Sequence, residues 1–242
     1  QARGVQRLLE SKDGKAIPIQ DRIDALCIAS TYARSKCVDI LLTTVRPYVV
    51  NLVGKEKQFA LAHACIGIPT RSDSKTESQR ANVVSRLLDT KANVDQEWGY
   101  PNNTAEHRFG VGRLLTGGSL QDELKALHHV TPLLLATRHD NATAVAALLA
   151  GKANVNHLAA ADGNGSPSVS ALSIASTLDH DAIVELLLKH NADVTLSHTN
   201  GTSALDMASQ FNNIASMALL LDAKADPNAA NDEGVTAVSV AI

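Results

Sequence analysis

The stretch SALSIASTLDHDAIVELLLKHNADV, residues 170–194, decides how this chain folds. Its first part is short and rich in Ala and Ser, which lets neighbouring elements approach closely. In its second part Ile183, Val184 and Leu187 fall on one face of a helix. An Asn and a small residue then end that helix and begin an extended loop. The stretch predicts a unit of helix, tight turn, helix and loop, which must stack on copies of itself to cover its apolar face.

Copies of the first-helix phrase recur along the chain. They read DALCIA, FALAHA, TPLLLA, SALSIA, SALDMA and TAVSVA, and their last alanines are residues 29, 64, 136, 175, 208 and 241. The intervals between these alanines are 35, 72, 39, 33 and 33 residues. An apolar block follows twelve residues after four of the alanines, at Leu41, Leu148, Leu187 and Leu220. A fixed phase inside each unit indicates a repeat array rather than a chance likeness between phrases.

These phrases resemble the ankyrin repeat family. The family's T-P-L-H-x-A signature is matched best by TPLLLA at 131–136, and its turn is nearest in Asp179 and His180. Ala replaces the Pro in five units, and the His after Leu is absent throughout. The resemblance implies an all-α, ankyrin-like solenoid of helix-turn-helix repeats with loop insertions. It also implies a structural hydrogen-bonding role for His180.

The phrases divide the chain into a single array. The predicted units are a partial repeat at 1–22, repeats at about 23–57, 58–96, 131–169, 170–202 and 203–235, and a truncated repeat at 236–242. Both end units lack part of the pattern, and repeat arrays need caps with polar outer faces at their ends. We therefore expect the parent chain to be longer.

Three insertions lengthen the regular units. GIPTRSDSKTESQR at 67–80 is polar and contains Pro, so we expect a mobile surface loop between two helices. AAADGNGSPS at 159–168 is small and polar, and predicts a hairpin tip. The largest insertion is 97–130, which we expect to be a loop followed by a short helix capped by Ser119 and Asp122.

The 97–130 insertion gathers Trp98, Tyr100 and Phe109 in a protein that is only 3% aromatic. Aromatic side chains bury large areas at a low cost in rotamer entropy, so they are preferred anchors of interfaces. Two interpretations stay open for this segment. It folds back on the repeats, or it meets another molecule.

The family resemblance also implies a binding surface. Ankyrin-like arrays usually bind partners on their concave side, through loop tips and through the two residues that follow the small-residue pair of each first helix. On this chain those positions are Thr31, Tyr32, Arg138, His139, Thr177, Leu178, Gln210 and Phe211, with Asp232 and Glu233 on the last loop tip. The alternative is that they are partly packed surface residues without a partner.

Composition narrows the classes of function. The formal net charge is −3, so phosphate contacts to a nucleic acid have little support, although residues 171–242 alone carry −7. No apolar run is long enough to cross a membrane. Cys27, Cys37 and Cys65 have no disulfide or zinc spacing, which favours an intracellular, reducing compartment. The organelle stays open because no N-terminal targeting segment is in view.

Catalytic and cofactor motifs are absent from the sequence. It has no nucleophile-elbow phrase, and the glycines of GVGRLLTGG at 110–118 do not have dinucleotide- or phosphate-binding spacing. His128 and His129 are adjacent, so on a helix they point about 100° apart and do not share a metal easily. We expect no catalytic residue, no metal and no cofactor.

The sequence thus predicts a non-catalytic protein-protein interaction module, a scaffold or accessory subunit that binds a protein through its concave surface and the 97–130 insertion. One alternative is that it forms the regulatory or targeting region of a longer enzyme or channel. Another is a small-ligand or hydrolase-like site in the insertion, which would form a pocket near Trp98.

Overall fold

The structure, a computed structural model, describes residues 17–44, 50–51, 59–66, 74–97, 130–160, 168–197 and 200–240. Within them the chain forms five helix pairs and one further helix. The helices are α1 (Ile19–Thr31), α2 (Ser35–Thr44), α3 (Ala60–Ile66), α4 (Ser74–Asp89), α5 (Pro132–Arg138), α6 (Ala142–Ala150), α7 (Ala171–Thr177), α8 (Asp181–Lys189), α9 (Ala204–Gln210), α10 (Ile214–Asp222) and α11 (Ala237–Val240).

The helices stack in two layers. The first helices of the pairs, α1, α3, α5, α7 and α9, pack on one another in chain order, and α11 continues this layer. The second helices, α2, α4, α6, α8 and α10, form the other layer in the same order. Successive units therefore bury each other's apolar faces. The prediction of an all-α helix-turn-helix solenoid is confirmed.

The repeated alanines and leucines form the centre of this stack. Ala64, Ala136, Ala175 and Ala208 are 0% exposed in the first helices. Leu87, Leu148, Leu187 and Leu220 are 0% exposed in the second helices. A methyl side chain lets two first helices approach closely, and a leucine fills the wider space between the layers. The phase of the sequence pattern thus coincides with the buried core.

The 97–130 insertion does not interrupt the stack. Helix α3 packs on α5, and α4 packs on α6, although the insertion lies between them in the sequence. Gln96 Nε2 donates to the Asn51 carbonyl at 3.3 Å on one side of it. On the other side Val130 is buried, with 2% exposure. Both ends of the insertion are therefore held by the array.

The prediction of a loop over 67–80 is wrong for its second half. Residues 74–80 form the start of α4, which has 16 residues, whereas α6 and α8 each have nine. Glu77 lies in the first turn of α4, where a negative charge is favourable to the helix dipole. Gln, Lys, Arg and Glu are good helix formers, and they outweigh the Ser and Thr of this segment. Residues 67–73 lie outside the described residues.

The predicted hairpin at 159–168 is confirmed. Strand β1 (Ala159–Ala160) pairs antiparallel with β2 (Ser168–Val169), with Ala159 opposite Val169. Val169 is 1% exposed and Ala159 is 0% exposed, so this pair packs into the core. The tip of the hairpin, 161–167, lies outside the described residues.

Each second helix of the last four pairs ends with a residue in the left-handed region that is not glycine. The residues are Lys91, Lys152, Asn191 and Lys224, with φ between 62° and 70°. At Lys224 the N–H donates to the Leu221 carbonyl at 2.9 Å, and the Ala225 N–H donates to the Leu220 carbonyl at 3.0 Å. This is the Schellman arrangement, in which glycine is the preferred residue at the left-handed position.

We expect Lys224→Gly to raise the free energy of unfolding by about 1 kcal/mol, because a left-handed conformation costs a residue with a Cβ roughly that much. Urea unfolding at neutral pH measures the change. Asn191→Gly is the matched control, since Asn tolerates this conformation and should gain less. A Lys224→Gly protein that is no more stable than the parent would contradict the strain at this site.

Candidate functional site

Four residues that end first helices occupy the same position in their units. Tyr32, His139, Leu178 and Phe211 are the C-caps of α1, α5, α7 and α9, with φ between −96° and −89° and ψ between 5° and 16°. Because the first helices stack in chain order, these residues follow one another along the array. We call them the C-cap row. Tyr32 is 55% exposed and Phe211 is 47% exposed, whereas Leu178 and His139 are half-buried.

The residues just before the C-cap row differ in how much surface they offer. Gln210 is exposed and Arg138 is half-buried. Thr31 is half-buried, and its hydroxyl lies 2.6 Å from His63 Nδ1. Thr177 is only 5% exposed, and its hydroxyl donates to the Ser173 carbonyl at 2.7 Å. Thr177 therefore contributes to packing within its own helix and has little side-chain surface for a partner.

In three cases, a side chain of the following unit makes a hydrogen bond to the C-terminal end of a first helix. Asn141 Nδ2 donates to the Cys65 carbonyl at 3.3 Å, and His180 Nδ1 donates to the Thr137 carbonyl at 2.9 Å. Asn213 Nδ2 donates to the Ser176 and Thr177 carbonyls, at 2.7 and 3.0 Å. We call Asn141, His180 and Asn213 the turn clamps. They satisfy carbonyls that a helix end leaves without intrahelical partners.

Two of the turn clamps bond first helices that carry a row residue. His180 bonds the last turn of α5, which ends at His139, and Asn213 bonds the last turn of α7, which ends at Leu178. The carbonyl of Thr137 is an acceptor only, so His180 carries its proton on Nδ1. The geometry of His180 agrees with the structural role that the sequence resemblance implied. The corresponding asparagines, Asn141 and Asn213, were not singled out from the sequence.

We expect His180→Ala to lower the free energy of unfolding by about 1 kcal/mol, because it removes one of two donors to the Thr137 carbonyl, which then keeps only the Asp140 N–H at 3.2 Å. His180→Asn should retain most of the stability, since asparagine makes this bond in the units before and after it. Urea denaturation of the three proteins measures both effects. Equal losses for His180→Ala and His180→Asn would show that the clamp bond is not what stabilises the turn.

A second set of hydrogen bonds joins the loops of successive units. Asn51 Oδ1 accepts from the Asn93 N–H at 2.6 Å, and Asp95 Oδ1 accepts from the Asn154 N–H at 2.9 Å. Asn156 Oδ1 continues the series with the Asp193 N–H at 2.9 Å. Asparagine and aspartate are suited to this role because their short side chains bond nearby backbone groups in turns. The loops are thus linked across the stack, independently of the turn clamps.

The last loop tip carries the two acidic residues predicted to contact a partner. Asp232 and Glu233 are exposed. The Asp232 N–H donates to the Asn200 carbonyl at 3.0 Å, and the Glu233 N–H donates to Asn231 Oδ1 at 3.0 Å. The backbone of the tip is therefore fixed by two bonds while both carboxylates stay in solvent.

Two half-buried histidines lie in the first-helix layer, His63 in α3 and His139 in the C-cap row. Burial lowers the pKa of His63 from its ordinary value of 6.5 to about 4. The pKa of His139 falls likewise to about 4, through burial first and then through the positive charges of Arg138, Arg80 and His180. Among the described residues His139 Nε2 has no hydrogen-bond partner, so a proton placed there would have no acceptor. Both rings are therefore neutral at neutral pH.

These two histidines should make the array sensitive to acid. Unfolding restores each pKa from about 4 to 6.5, so the unfolded chain binds more protons between those values. Their contribution to stability is complete above pH 6.5 and is lost as the pH falls towards 4. Melting temperatures measured across this range should fall, and His139→Gln should flatten the slope. The exposed His190 supplies the control, and a His190→Gln variant with an equally flattened slope would contradict the assignment.

Three aromatic residues predicted to bind a partner, Trp98, Tyr100 and Phe109, lie outside the described residues. So do Ser119, Asp122, His128 and His129, whose predicted roles concern the same insertion. The structure fixes the places where the insertion leaves and rejoins the array, next to Gln96 and Val130. The choice between fold-back packing and partner contact for 97–130 stays a prediction.

The described residues contain neither a metal-binding cluster nor a membrane-spanning helix. No three His, Cys, Asp or Glu side chains there are grouped so as to hold a metal ion. None of the helices in those ranges is both long and apolar enough to cross a membrane. The surface that the described residues organise most clearly is the C-cap row with its clamps.

A family model described as ankyrin repeats, in three copies, matches residues 133–231. The matched region contains α6 to α10 and all three turn clamps. No curated protein matches the chain.

Proposed function

We propose that the chain, whose residues 133–231 match a model of ankyrin repeats, is an ankyrin repeat protein and a non-catalytic protein-binding module, a scaffold or accessory subunit of a larger complex. Ankyrin repeats are generally protein-protein interaction modules, and repeat solenoids bind through extended surfaces. The partner contacts the C-cap row, the last loop tip and the 97–130 insertion. The mechanism is complementarity of shape with a rigid surface that carries a few aromatic anchors.

The observation that carries this proposal is the exposure of Tyr32 and Phe211 at equivalent positions of the stack. Both side chains are about half exposed, in a protein with very few aromatic residues. Large aromatic side chains left in solvent at the same position of two units favour a binding surface over chance. Their backbones are held by C-cap hydrogen bonds, to the Ile28 and Met207 carbonyls respectively. Binding therefore requires little ordering of the main chain, which favours affinity.

The proposal extends to organisation and location. We propose the units that the phrases predict, at about 23–57, 58–96, 131–169, 170–202 and 203–235, with partial units at 1–22 and 236–242. The protein works in a reducing, intracellular compartment, with neither a cofactor nor a nucleic acid as partner. Its three cysteines support that location, because Cys27, Cys37 and Cys65 are all free and buried.

Site-specific photo-crosslinking in the native cell extract tests the proposed surface. A photoreactive phenylalanine analogue replaces Tyr32 or Phe211 in one pair of proteins, and Trp98 in a third. The matched control carries the analogue at Glu185, which is exposed on α8 in the other layer. We expect crosslinks to one partner chain from Tyr32 and Phe211, and few from Glu185. Mass spectrometry of the adducts identifies that chain.

The outcomes separate the two parts of the proposed surface. Crosslinks from Trp98 to the same partner would support the insertion as a contact, and crosslinks from Trp98 to the array alone would assign it to internal packing. Equal crosslinking from Glu185 and Phe211, or none from Tyr32 and Phe211, would remove the C-cap row as the binding surface.

A further inference from the structure

Asn200 and Gly201 form a residue pair that occurs once in the described part of the chain. Of the asparagines there, Asn200 is the one that glycine follows. The pair lies in the loop before α9, whose ends are joined by the antiparallel bridge between Ser197 and Ser203. Asn200 is exposed and Gly201 is half-buried. The side-chain amide of Asn200 is therefore open to solvent, beside a residue that has no side chain.

The side chain of Asn200 is folded towards the residues that follow it. Its Oδ1 accepts a hydrogen bond from the Thr202 N–H at 3.2 Å. Asparagine bonds the backbone two residues further on in this way at turns. Because Gly201 lies between the two bonded groups, the bond keeps the amide carbon Cγ near the backbone of Gly201. It also withdraws electron density from Cγ, which makes Cγ a better target for a nucleophile.

The backbone nitrogen of Gly201 is the nucleophile next to Cγ along the chain. Among the described residues, no group accepts a hydrogen bond from this N–H. Gly201 has a φ of 78°, and glycine adopts such conformations and moves between them at little steric cost. Because glycine has no Cβ, no side chain shields its nitrogen. A bond between this nitrogen and Cγ closes a cyclic imide.

Most other described asparagines lack one of these features. After Asn228 and Asn231 the next N–H is held by a backbone carbonyl, at 3.3 Å and 3.0 Å. Val follows both Asn93 and Asn154, and its branched Cβ crowds the backbone nitrogen. The next N–H is also bonded to a backbone carbonyl after Asn156, Asn191 and Asn212. An exposed amide next to an unbonded, unshielded nitrogen is thus a property of Asn200.

We propose that Asn200 is a site of spontaneous deamidation, in which the Gly201 nitrogen attacks its Cγ. The Gly201 nitrogen loses its proton to hydroxide and bonds to Cγ, while the bond from Cγ to Nδ2 breaks and Nδ2 leaves as ammonia after taking a proton from water. Water then opens the imide. Opening at Cγ gives aspartate, and opening at the main-chain carbonyl gives isoaspartate. No atom is oxidised or reduced, and the reaction needs no partner, so this inference is independent of the proposed binding function.

Deamidation here changes the contact between two loops. The Asn200 carbonyl accepts from the Asp232 N–H at 3.0 Å, and a Cβ built on Gly201 would lie 3.0 Å from Asn231 Cα and 3.3 Å from Asp232 Oδ1. Ring closure rotates this carbonyl, so it follows local opening of the contact. Isoaspartate lengthens the main chain by a methylene group. Both products place a negative charge beside Asp232, and because like charges repel, the modification loosens the contact.

Timed incubation of the whole chain in mildly alkaline buffer tests the site. Asn164→Ser is present in every protein, because Asn164 precedes Gly165 in a segment outside the described residues. Tandem mass spectrometry of digests locates each gain in mass and separates isoaspartate from aspartate. We expect Asn200 to convert at least about tenfold faster than Asn228 or Asn231, a ratio that a small difference in activation free energy produces. Conversion no faster than at these two residues, or aspartate without isoaspartate, would overturn the proposal.

A pair of variants measures the effect on the loop contact. Asn200→Ser has no side-chain amide to lose, whereas Asn228→Ser removes an exposed asparagine from another loop. Melting temperatures are compared before and after incubation. We expect incubation to lower the melting temperature of the starting protein and of Asn228→Ser, and to leave that of Asn200→Ser unchanged. An equal fall in Asn200→Ser would overturn the assignment of the loosened contact to this residue.

Discussion

The array depends on the hydrogen bonds by which each unit satisfies the helix end of the unit before it. A helix leaves its last carbonyls without intrahelical partners, and burying them without donors costs roughly 1–3 kcal/mol for each group. Asn141, His180 and Asn213 supply those donors. Because each donor has a short, directed side chain, it fixes how far one unit is displaced from the next.

Much of the fold could be predicted because the repeat period is formed by buried residues whose size is restricted by packing. Ala136, Ala175 and Ala208 had to be small where first helices meet, and Leu148 and Leu187 had to be large between the layers. The clamp positions were also readable, since Asn141, His180 and Asn213 each lie five residues after a first-helix alanine. Of this polar pattern, only His180 was predicted to have a structural role.

Other features depended on the tertiary neighbours of a residue, and a single sequence does not reveal those neighbours. The start of α4 was missed because its Ser and Thr favoured a loop, while its packing on α2 and α6 favoured a helix. The burial of Thr177 results from the close approach of its unit to the next. In the sequence, Ile214 and Val184 are both apolar residues at predicted helix positions. They differ in exposure because a described helix covers only one of them.

The continuity of the stack across the 97–130 insertion has a consequence for how the molecule comes apart. Forty-two residues separate the end of α4 from the start of α5, whereas 14 separate α8 from α9. Closing the longer connection costs about 1 kcal/mol more in chain entropy, and the packing of α3 on α5 and of α4 on α6 offsets that cost. In a linear array, units are coupled through the interfaces with their neighbours. The first two helix pairs are therefore coupled to the rest by helix packing, which a cut in the chain between α4 and α5 would leave in place.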